Sequence, residues 1–125
     1  MKNPLAIFGI VFVLAIGGMI FAQSKTGPAS DVYNGLAQCI ADSGAKFYGA
    51  FWCPHCQDQH KMFGKADEFL PYVECSTPDG QGQTEVCKEA GVTSYPTWVL
   101  GDGTELSGVQ TPTQLAEATN CPLPE

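Results

Sequence analysis

Two cysteines, Cys53 and Cys56, are separated by two residues and come directly after an apolar and aromatic stretch at residues 45–52. The stretch is typical of a buried strand, and Pro54 is favoured at the first position of a helix, where no N–H group is needed. The unpaired N–H groups and the dipole of such a helix start favour a thiolate at Cys53. His55 adds a donor or a positive charge beside that sulfur. The spacing therefore predicts a reactive dithiol where a strand meets a helix.

The chemistry expected of this dithiol is thiol–disulfide exchange. The thiolate is the attacking species, and Cys56 lies one helical turn after Cys53, close enough to close a short disulfide. Stabilising the thiolate stabilises the reduced pair, so it makes the oxidised pair a stronger oxidant. Half of a zinc site and a purely structural bridge are the other interpretations of this spacing. Features later in the chain favour the redox interpretation.

Length and composition limit the classes of protein to consider. The chain has 125 residues and six cysteines, and its apolar content of 44% is ordinary for a globular protein. Its length suits one small domain, and its cysteine content indicates an oxidising compartment. After Lys25, four lysines stand against thirteen acidic residues, so the net charge there is 4 − 13 = −9. Such a surface is not expected to bind nucleic acid.

The amino-terminal segment is uniformly apolar. Residues 5–22 carry no charge, and as a helix they would extend roughly 27 Å, about the thickness of the hydrocarbon core of a membrane. We expect residues 1–22 to form a membrane anchor; a signal peptide cleaved after Ala22 is the alternative. Lys2 favours a cytoplasmic start, which places the rest of the chain on the periplasmic, lumenal or extracellular side.

The remainder divides into a linker at residues 23–30 and one domain at residues 31–125. The patterns predict the order helix, strand, helix, strand, helix, strand, strand, helix, which gives an α/β fold with a mixed central sheet flanked by helices. The predicted helices are residues 31–43, 54–69, 84–91 and 112–120, and the predicted strands are residues 45–52, 72–75, 97–100 and 104–108.

Several motifs, in this order, carry a resemblance to a known family. After the dithiol come Tyr95-Pro96-Thr97 and a closing hairpin with Gly108, so residues 31–120 resemble a thioredoxin-fold protein. More narrowly, the chain is similar to the thioredoxin-like domain of bacterial and plant vitamin K epoxide reductase homologues. The matching segments are residues 48–59, 72–75 and 95–98, together with Cys87.

The resemblance implies a role for each residue of the site. Cys53 would be the nucleophile and Cys56 the resolving thiol. Pro96 matches a cis-proline that faces the dithiol, and Tyr95 would offer its backbone to a substrate strand. An ordinary loop proline is the local alternative for Pro96. The residues that would support the dithiol are Trp52, Pro54 and His55.

The resemblance also implies partners. In that family the domain passes oxidising equivalents from a membrane-embedded, quinone-reducing domain to exported proteins with cysteines. The present sequence carries only the thioredoxin-like part, so the integral membrane partner is expected to be a separate chain. No cofactor beyond the redox-active disulfide and no metal is expected.

The other four cysteines are expected to differ in their pairing. The resemblance supports a structural disulfide between Cys75 and Cys87, which flank the loop at residues 76–83. Cys39 and Cys121 form a second candidate pair. The first and last helices of a thioredoxin fold usually cover opposite faces of the sheet, which argues against that bridge. Free thiols or an intermolecular bridge are the alternatives.

Two further positions bear on proton transfer. Many thioredoxins bury an acid beneath the dithiol, but the strand at residues 45–52 carries only Lys46 as a charged group. Water, Lys46 or His55 would have to replace that acid. His60 is expected to be a solvated helix residue rather than a catalytic one.

The sequence thus favours an exported, membrane-tethered thiol–disulfide oxidoreductase that oxidises client proteins. A reductase with the same site, for example one serving cytochrome maturation, is the nearest alternative. A metal-binding chaperone that uses cysteine and histidine ligands and a disulfide-stabilised adaptor without turnover are alternatives of other classes.

Overall fold

A computed structural model describes residues 31–125; the predicted anchor at residues 1–22 and the linker at residues 23–30 lie outside the described residues. Within residues 31–125, no helix is long and apolar enough to cross a membrane. The helices are α1 (Asn34–Asp42), α2 (Pro54–Phe63), a 3-10 helix (Gly64–Phe69), α3 (Glu85–Glu89) and α4 (Pro112–Thr119), and the strands are β1 (Lys46–Gly49), β2 (Tyr72–Glu74), β3 (Thr97–Val99) and β4 (Glu105–Ser107).

The four strands form one mixed sheet in the order β2-β1-β3-β4. β1 runs parallel to β2 and antiparallel to β3, and β3 pairs antiparallel with β4. This arrangement confirms the predicted α/β fold with a mixed, helix-flanked sheet. Because β1 and β3 are antiparallel, the last residues of β1 and the first residues of β3 lie at the same end of the sheet, where Tyr48 pairs with Thr97. This pairing therefore brings the segment after β1 close to the segment before β3.

The core is built around the two central strands. Phe47 of β1 and Trp98 of β3 are fully buried and stack with their ring centroids 4.8 Å apart. Ile40 of α1, Phe63 of α2 and Leu115 of α4 are also buried in the same cluster. These three helices therefore bury their apolar faces in one core with the sheet, which supplies the main driving force for folding.

α1 and α4 contact each other, so the argument against a bridge between Cys39 and Cys121 does not hold. Asn120 ends α4 in the left-handed conformation (φ 56°) and turns the chain back, so that Cys121 is buried. Its sulfur forms a disulfide with Cys39, with Cα atoms 5.9 Å apart. On the loop-entropy description, a bridge across 82 residues stabilises the fold by about 4 to 5 kcal/mol.

The helix predicted at residues 54–69 is interrupted. Gly64, with φ 55°, ends α2, and the chain continues as a 3-10 helix. His60, near the end of α2, contacts the carboxylate of Asp67 in that 3-10 helix. Its ring also packs against Phe47 and Tyr72, with centroids 5.0 and 4.7 Å away. The expectation of a solvated His60 is therefore wrong: the residue joins two helices and the sheet.

Candidate active site

The dithiol lies at the start of α2, at the end of the sheet where β1 ends and β3 begins. β1 ends at Gly49, and a turn closed by the hydrogen bond from the Cys53 N–H to the Ala50 carbonyl leads into the helix. Cys53 has extended backbone angles (φ −77°, ψ 119°) and immediately precedes Pro54, the first residue of α2. The sequence produces this junction because proline suits the first turn of a helix and no side-chain cap competes for its N–H groups.

The two thiols of the pair differ in their surroundings. Cys53 and Cys56 are both free thiols, with 7% and 1% of their surface exposed. Burial raises the pKa of the Cys56 thiol to about 12, and the neighbouring Cys53 and Glu74 contribute in the same direction. Cys56 therefore holds its proton at neutral pH, while Cys53 is the thiol that an incoming sulfur can reach.

Tyr95 and Pro96 face the dithiol from the start of β3. The peptide bond between them is cis, and the Sγ–H of Cys53 donates to the Tyr95 carbonyl at 3.7 Å. Pro96 is fully buried, and its carbonyl accepts from the Gly108 N–H at 2.9 Å. The closing hairpin thus fixes this loop, and the backbone of Tyr95 lies beside the sulfur of Cys53.

Exposed aromatic side chains surround the opening to Cys53. Phe51 and Trp52 are 53% and 49% exposed, which is unusual for residues of this size. The Trp52 ring meets Tyr95 edge-on at 6.1 Å, and its indole N–H donates to Ser76 Oγ at 2.9 Å. Together these residues form an apolar surface beside the reactive sulfur. His55 is exposed at the start of α2, and its side chain takes part in none of the hydrogen bonds described for residues 31–125.

A disulfide between Cys75 and Cys87 closes the 76–83 loop beside this surface. Both cysteines are fully buried, and their Cα atoms are 5.5 Å apart. Within the loop, Ser76 pairs with Gln83 in an antiparallel bridge. The loop lies under Trp52, because a Cβ atom at Gly80 would stand 3.7 Å from the indole. The disulfide therefore restrains a segment that supports the surface around Cys53.

Comparison with known proteins agrees with this site. Over 93 residues, 70% of this chain, the sequence is 43% identical to "Thiol-disulfide oxidoreductase LTO1" of Arabidopsis thaliana, and it spans 24% of that protein's length. A similar solved structure, oxidized mitochondrial thioredoxin 3 from Saccharomyces cerevisiae, has a TM-score of 0.42 and 28% identity, with 61% of this chain and 74% of that chain covered. No family model matches the chain. The chain resembles a thiol–disulfide oxidoreductase. The similarity to the Arabidopsis thaliana protein supports the predicted thiol–disulfide oxidoreductase.

Sequence reasoning missed an acidic side chain next to the dithiol. Glu74, the last residue of β2, lies in register with Gly49 of β1. Its carboxylate accepts hydrogen bonds from the backbone N–H groups of Phe51 and Ser76 and from the Tyr72 hydroxyl. The signal was present, because parallel strands end at the same edge, so an acid that ends β2 approaches the residues that follow β1.

Gln59, which was also missed, fixes α2 in its place. It is fully buried, its Oε1 accepts from the Trp98 indole N–H at 3.2 Å and from the Gln110 N–H at 2.8 Å, and its amide donates to the Gln110 carbonyl at 2.9 Å. A buried amide is tolerated when its donors and acceptors are paired, as here. Gln59 therefore joins the helix that carries the dithiol to β3 and to the segment before α4.

The described residues show what the site offers to a metal ion. In residues 31–125, no group of three or more histidine, cysteine or acidic residues is arranged to hold a metal. Cys53 and Cys56 stand together at the helix start, but His60 faces Asp67 instead. The arrangement brings together two thiols, a backbone carbonyl and an apolar surface, which are the components of thiol–disulfide exchange.

Proposed function

We propose that this chain is an exported, membrane-tethered thiol–disulfide oxidoreductase that oxidises cysteine-containing client proteins through a Cys53–Cys56 disulfide. The observation that carries the proposal is the position of Cys53: it immediately precedes α2, beside the Tyr95 carbonyl, with the buried thiol of Cys56 one turn away. The similarity to a thiol–disulfide oxidoreductase over 70% of the chain supports the reaction class.

In the oxidative direction, a client thiolate attacks Sγ of Cys53 in the disulfide form. A bond forms between the client sulfur and Cys53, the bond to Cys56 breaks, and its electron pair goes to Sγ of Cys56, which takes up a proton because its pKa is about 12. A second client thiolate then attacks the client sulfur of the mixed disulfide and releases Cys53 as a thiolate. The client loses two electrons, and the dithiol gains them.

The surface around Cys53 suits an extended client segment. The Tyr95 backbone lies beside the sulfur, and main-chain hydrogen bonds there would hold clients of many sequences. The exposed rings of Phe51 and Trp52 would cover apolar side chains that flank the client cysteine. Binding of this kind explains how one small site would serve several exported proteins.

We infer that an integral membrane protein of the quinone-reducing, vitamin K epoxide reductase-like class reoxidises the dithiol. The apolar segment at residues 5–22 would anchor the domain on the periplasmic, lumenal or extracellular side. The linker at residues 23–30 extends at most about 26 Å, so the dithiol would stay near the bilayer. Tethering raises the effective concentration of a membrane partner without any additional contact. No cofactor other than the disulfide enters this cycle.

A redox titration of the full chain in detergent micelles tests the reaction class. We expect Cys53 and Cys56 to pass reversibly between dithiol and disulfide in glutathione buffers, at a potential above the roughly −270 mV of a reducing thioredoxin. The measurement is alkylation followed by mass spectrometry, with a metal assay on the same sample. A stoichiometric metal ion, or a pair that does not exchange with glutathione, would contradict the proposal.

Trapping in cells tests the direction and the partner. Cys56→Ala should accumulate mixed disulfides through Cys53 with several exported clients and with one integral membrane protein that has its own cysteine pair. The wild-type dithiol should be mainly oxidised when thiols are alkylated before lysis. The control is Cys53→Ala/Cys56→Ala, which should trap nothing. A mainly reduced dithiol, with a trapped partner that delivers electrons, would make the chain a reductase.

A further inference from the structure

The carboxylate of Glu74 accepts hydrogen bonds from three donors. Oε1 accepts from the Ser76 N–H at 2.8 Å and from the Phe51 N–H at 3.2 Å, and Oε2 accepts from the Tyr72 hydroxyl at 2.7 Å. Three donors from two segments fix both oxygens in orientation. One of the donors belongs to Phe51, two residues before Cys53.

Glu74 is connected to the buried sulfur through Tyr72 and Gly49. A Cβ atom at Gly49 would lie 3.0 Å from Sγ of Cys56 and 2.9 Å from the Tyr72 ring. The sulfur and the ring therefore share the space that a side chain at residue 49 would fill, and the hydroxyl of that ring donates to Glu74. An acid thus approaches the dithiol from β2, although β1 carries none.

We propose that Glu74 is a positioning residue for the redox reaction: its carboxylate, fixed beside the sulfur pair by three hydrogen bonds, disfavours negative charge on the reduced pair and makes the disulfide a weaker oxidant. The inference rests on the proposed redox function and adds to it the group that adjusts its strength. The strand β1 carries no acidic residue beneath the dithiol. In this proposal Glu74 of β2 supplies the acid instead.

The direction of the effect follows from electrostatics in a partly buried site. A carboxylate near a thiolate raises the free energy of the thiolate, and only the reduced state contains thiolates. Burial is the main cause of the raised pKa of Cys56, the neighbouring Cys53 follows, and Glu74 makes the smallest contribution in the same direction. Burial and Glu74 also raise the pKa of Tyr72, so its hydroxyl keeps its proton and continues to donate to the carboxylate.

Other titratable groups face this cluster and have to be separated from Glu74. Cys53 precedes α2, and His60 of α2 packs against the Tyr72 ring. Asp67 of the 3-10 helix acts on His60 through their contact. β1 contributes Gly49 at this point, which does not titrate. Variants that differ only in the charge at residue 74 leave all of these groups in place.

The main test compares Glu74→Gln with the wild-type full chain in detergent micelles. Glutamine keeps an oxygen for the Phe51 and Ser76 N–H groups but removes the charge. Reduction potentials are measured in glutathione buffers at four pH values between 6 and 9. We expect Glu74→Gln to shift the equilibrium toward the dithiol by about twofold at the highest pH, or about 10 mV, because Cys56, with a pKa of about 12, keeps its proton over this range and at most one thiolate of the pair responds to the charge. The shift should be smaller at the lowest pH, where fewer thiolates are present.

Matched variants separate charge from hydrogen-bonding support. Glu105→Gln removes an exposed acid of β4 and should leave the potential unchanged at every pH. Glu74→Asp keeps the charge and should retain most of the wild-type pH dependence. Glu74→Ala removes both charge and support and should lower the free energy of unfolding, whereas Glu74→Gln should not.

A second readout uses Cys53→Ala, in which Cys56 is the single thiol of residues 31–125 outside a disulfide. Thiolate absorbance near 240 nm should rise at lower pH in Cys53→Ala/Glu74→Gln than in Cys53→Ala. If both readouts match those of Glu105→Gln, Glu74 only supports the backbone and the inference fails. A wild-type chain without a reversible dithiol would instead overturn the proposed function itself.

Discussion

The pairs Cys53/Cys56 and Cys75/Cys87 are both buried and lie near each other, yet their surroundings differ. The first pair begins a helix beside the Tyr95 carbonyl and under exposed aromatic rings. The second is fully buried and packs against Val92 and half-buried apolar side chains. Cys53 keeps 7% of its surface exposed, whereas Cys75 and Cys87 are fully buried. Access, rather than spacing alone, therefore distinguishes the pair that can react from the structural one.

The two pairs are nevertheless connected. Cys75 directly follows Glu74, whose carboxylate binds Phe51 near the dithiol. Ser76, the next residue, accepts the indole N–H of Trp52. The structural disulfide therefore restrains the loop whose first residue orients the surface around the reactive pair. Substitutions in either cysteine pair can therefore test the comparison.

The largest effect is expected when the nucleophile is removed. Cys53→Ser should lower the rate of disulfide exchange with a model client by about a hundredfold or more, because a hydroxyl does not replace the thiolate.

Cys75→Ala/Cys87→Ala should keep measurable exchange but lose about 3 kcal/mol of stability, the loop-entropy value for a separation of 12 residues. The measurements are exchange kinetics and urea unfolding.

Cys39→Ala/Cys121→Ala is the matched control, because it removes a disulfide at the contact between α1 and α4. It should lower stability without changing exchange at Cys53. Complete loss of exchange in Cys75→Ala/Cys87→Ala, with the fold retained, would contradict a purely structural role and would show a second redox pair.

The features that were predictable from the sequence are those with a local signal. The order of elements follows from apolar periodicity, and the helix start follows from Pro54 beside Cys53. The capping box of Thr111 and Gln114 is another such signal, and the structure contains both of its hydrogen bonds. Each of these features depends on residues within a few positions of one another.

The features that were missed or left open depend on contacts between distant residues. The Cys39–Cys121 bridge requires the left-handed turn at Asn120, which redirects the chain after α4. The carboxylate of Glu74 meets Phe51 because β1 and β2 are parallel and in a particular register. Gln59 looks like an ordinary polar helix residue until Trp98 and Gln110 surround it. Tertiary packing determines all three, and no local pattern encodes it.

A smaller effect should appear in the pH dependence of stability. In Cys53→Ala, the unfolded thiol of Cys56 ionises near its usual pKa of 9.0, whereas burial, the main cause of its raised pKa of about 12, remains in the folded state. Between these values the unfolded state binds fewer protons, so the free energy of unfolding falls as pH rises. We expect a loss of about 1 to 2 kcal/mol by pH 10.5 relative to Cys53→Ala/Cys56→Ala, measured by thermal unfolding from pH 8. Equal slopes in the two variants would show that Cys56 is not held in a buried, protonated state.

The smallest effect concerns the contact between the 76–83 loop and the surface around Cys53. Ser76→Ala removes the acceptor of the Trp52 indole N–H but leaves the Cys75–Cys87 disulfide in place. We expect a loss of about 0.5 to 1.5 kcal/mol and faster hydrogen exchange at the Trp52 indole N–H in NMR spectra, while the buried Trp98 indole is unchanged. Ser107→Ala, at an exposed position of β4, is the control and should alter neither signal. If the Trp52 indole exchanges at the same rate in Ser76→Ala and in the wild type, this hydrogen bond does not hold the ring, and the disulfide-closed loop does not orient the surface through Trp52.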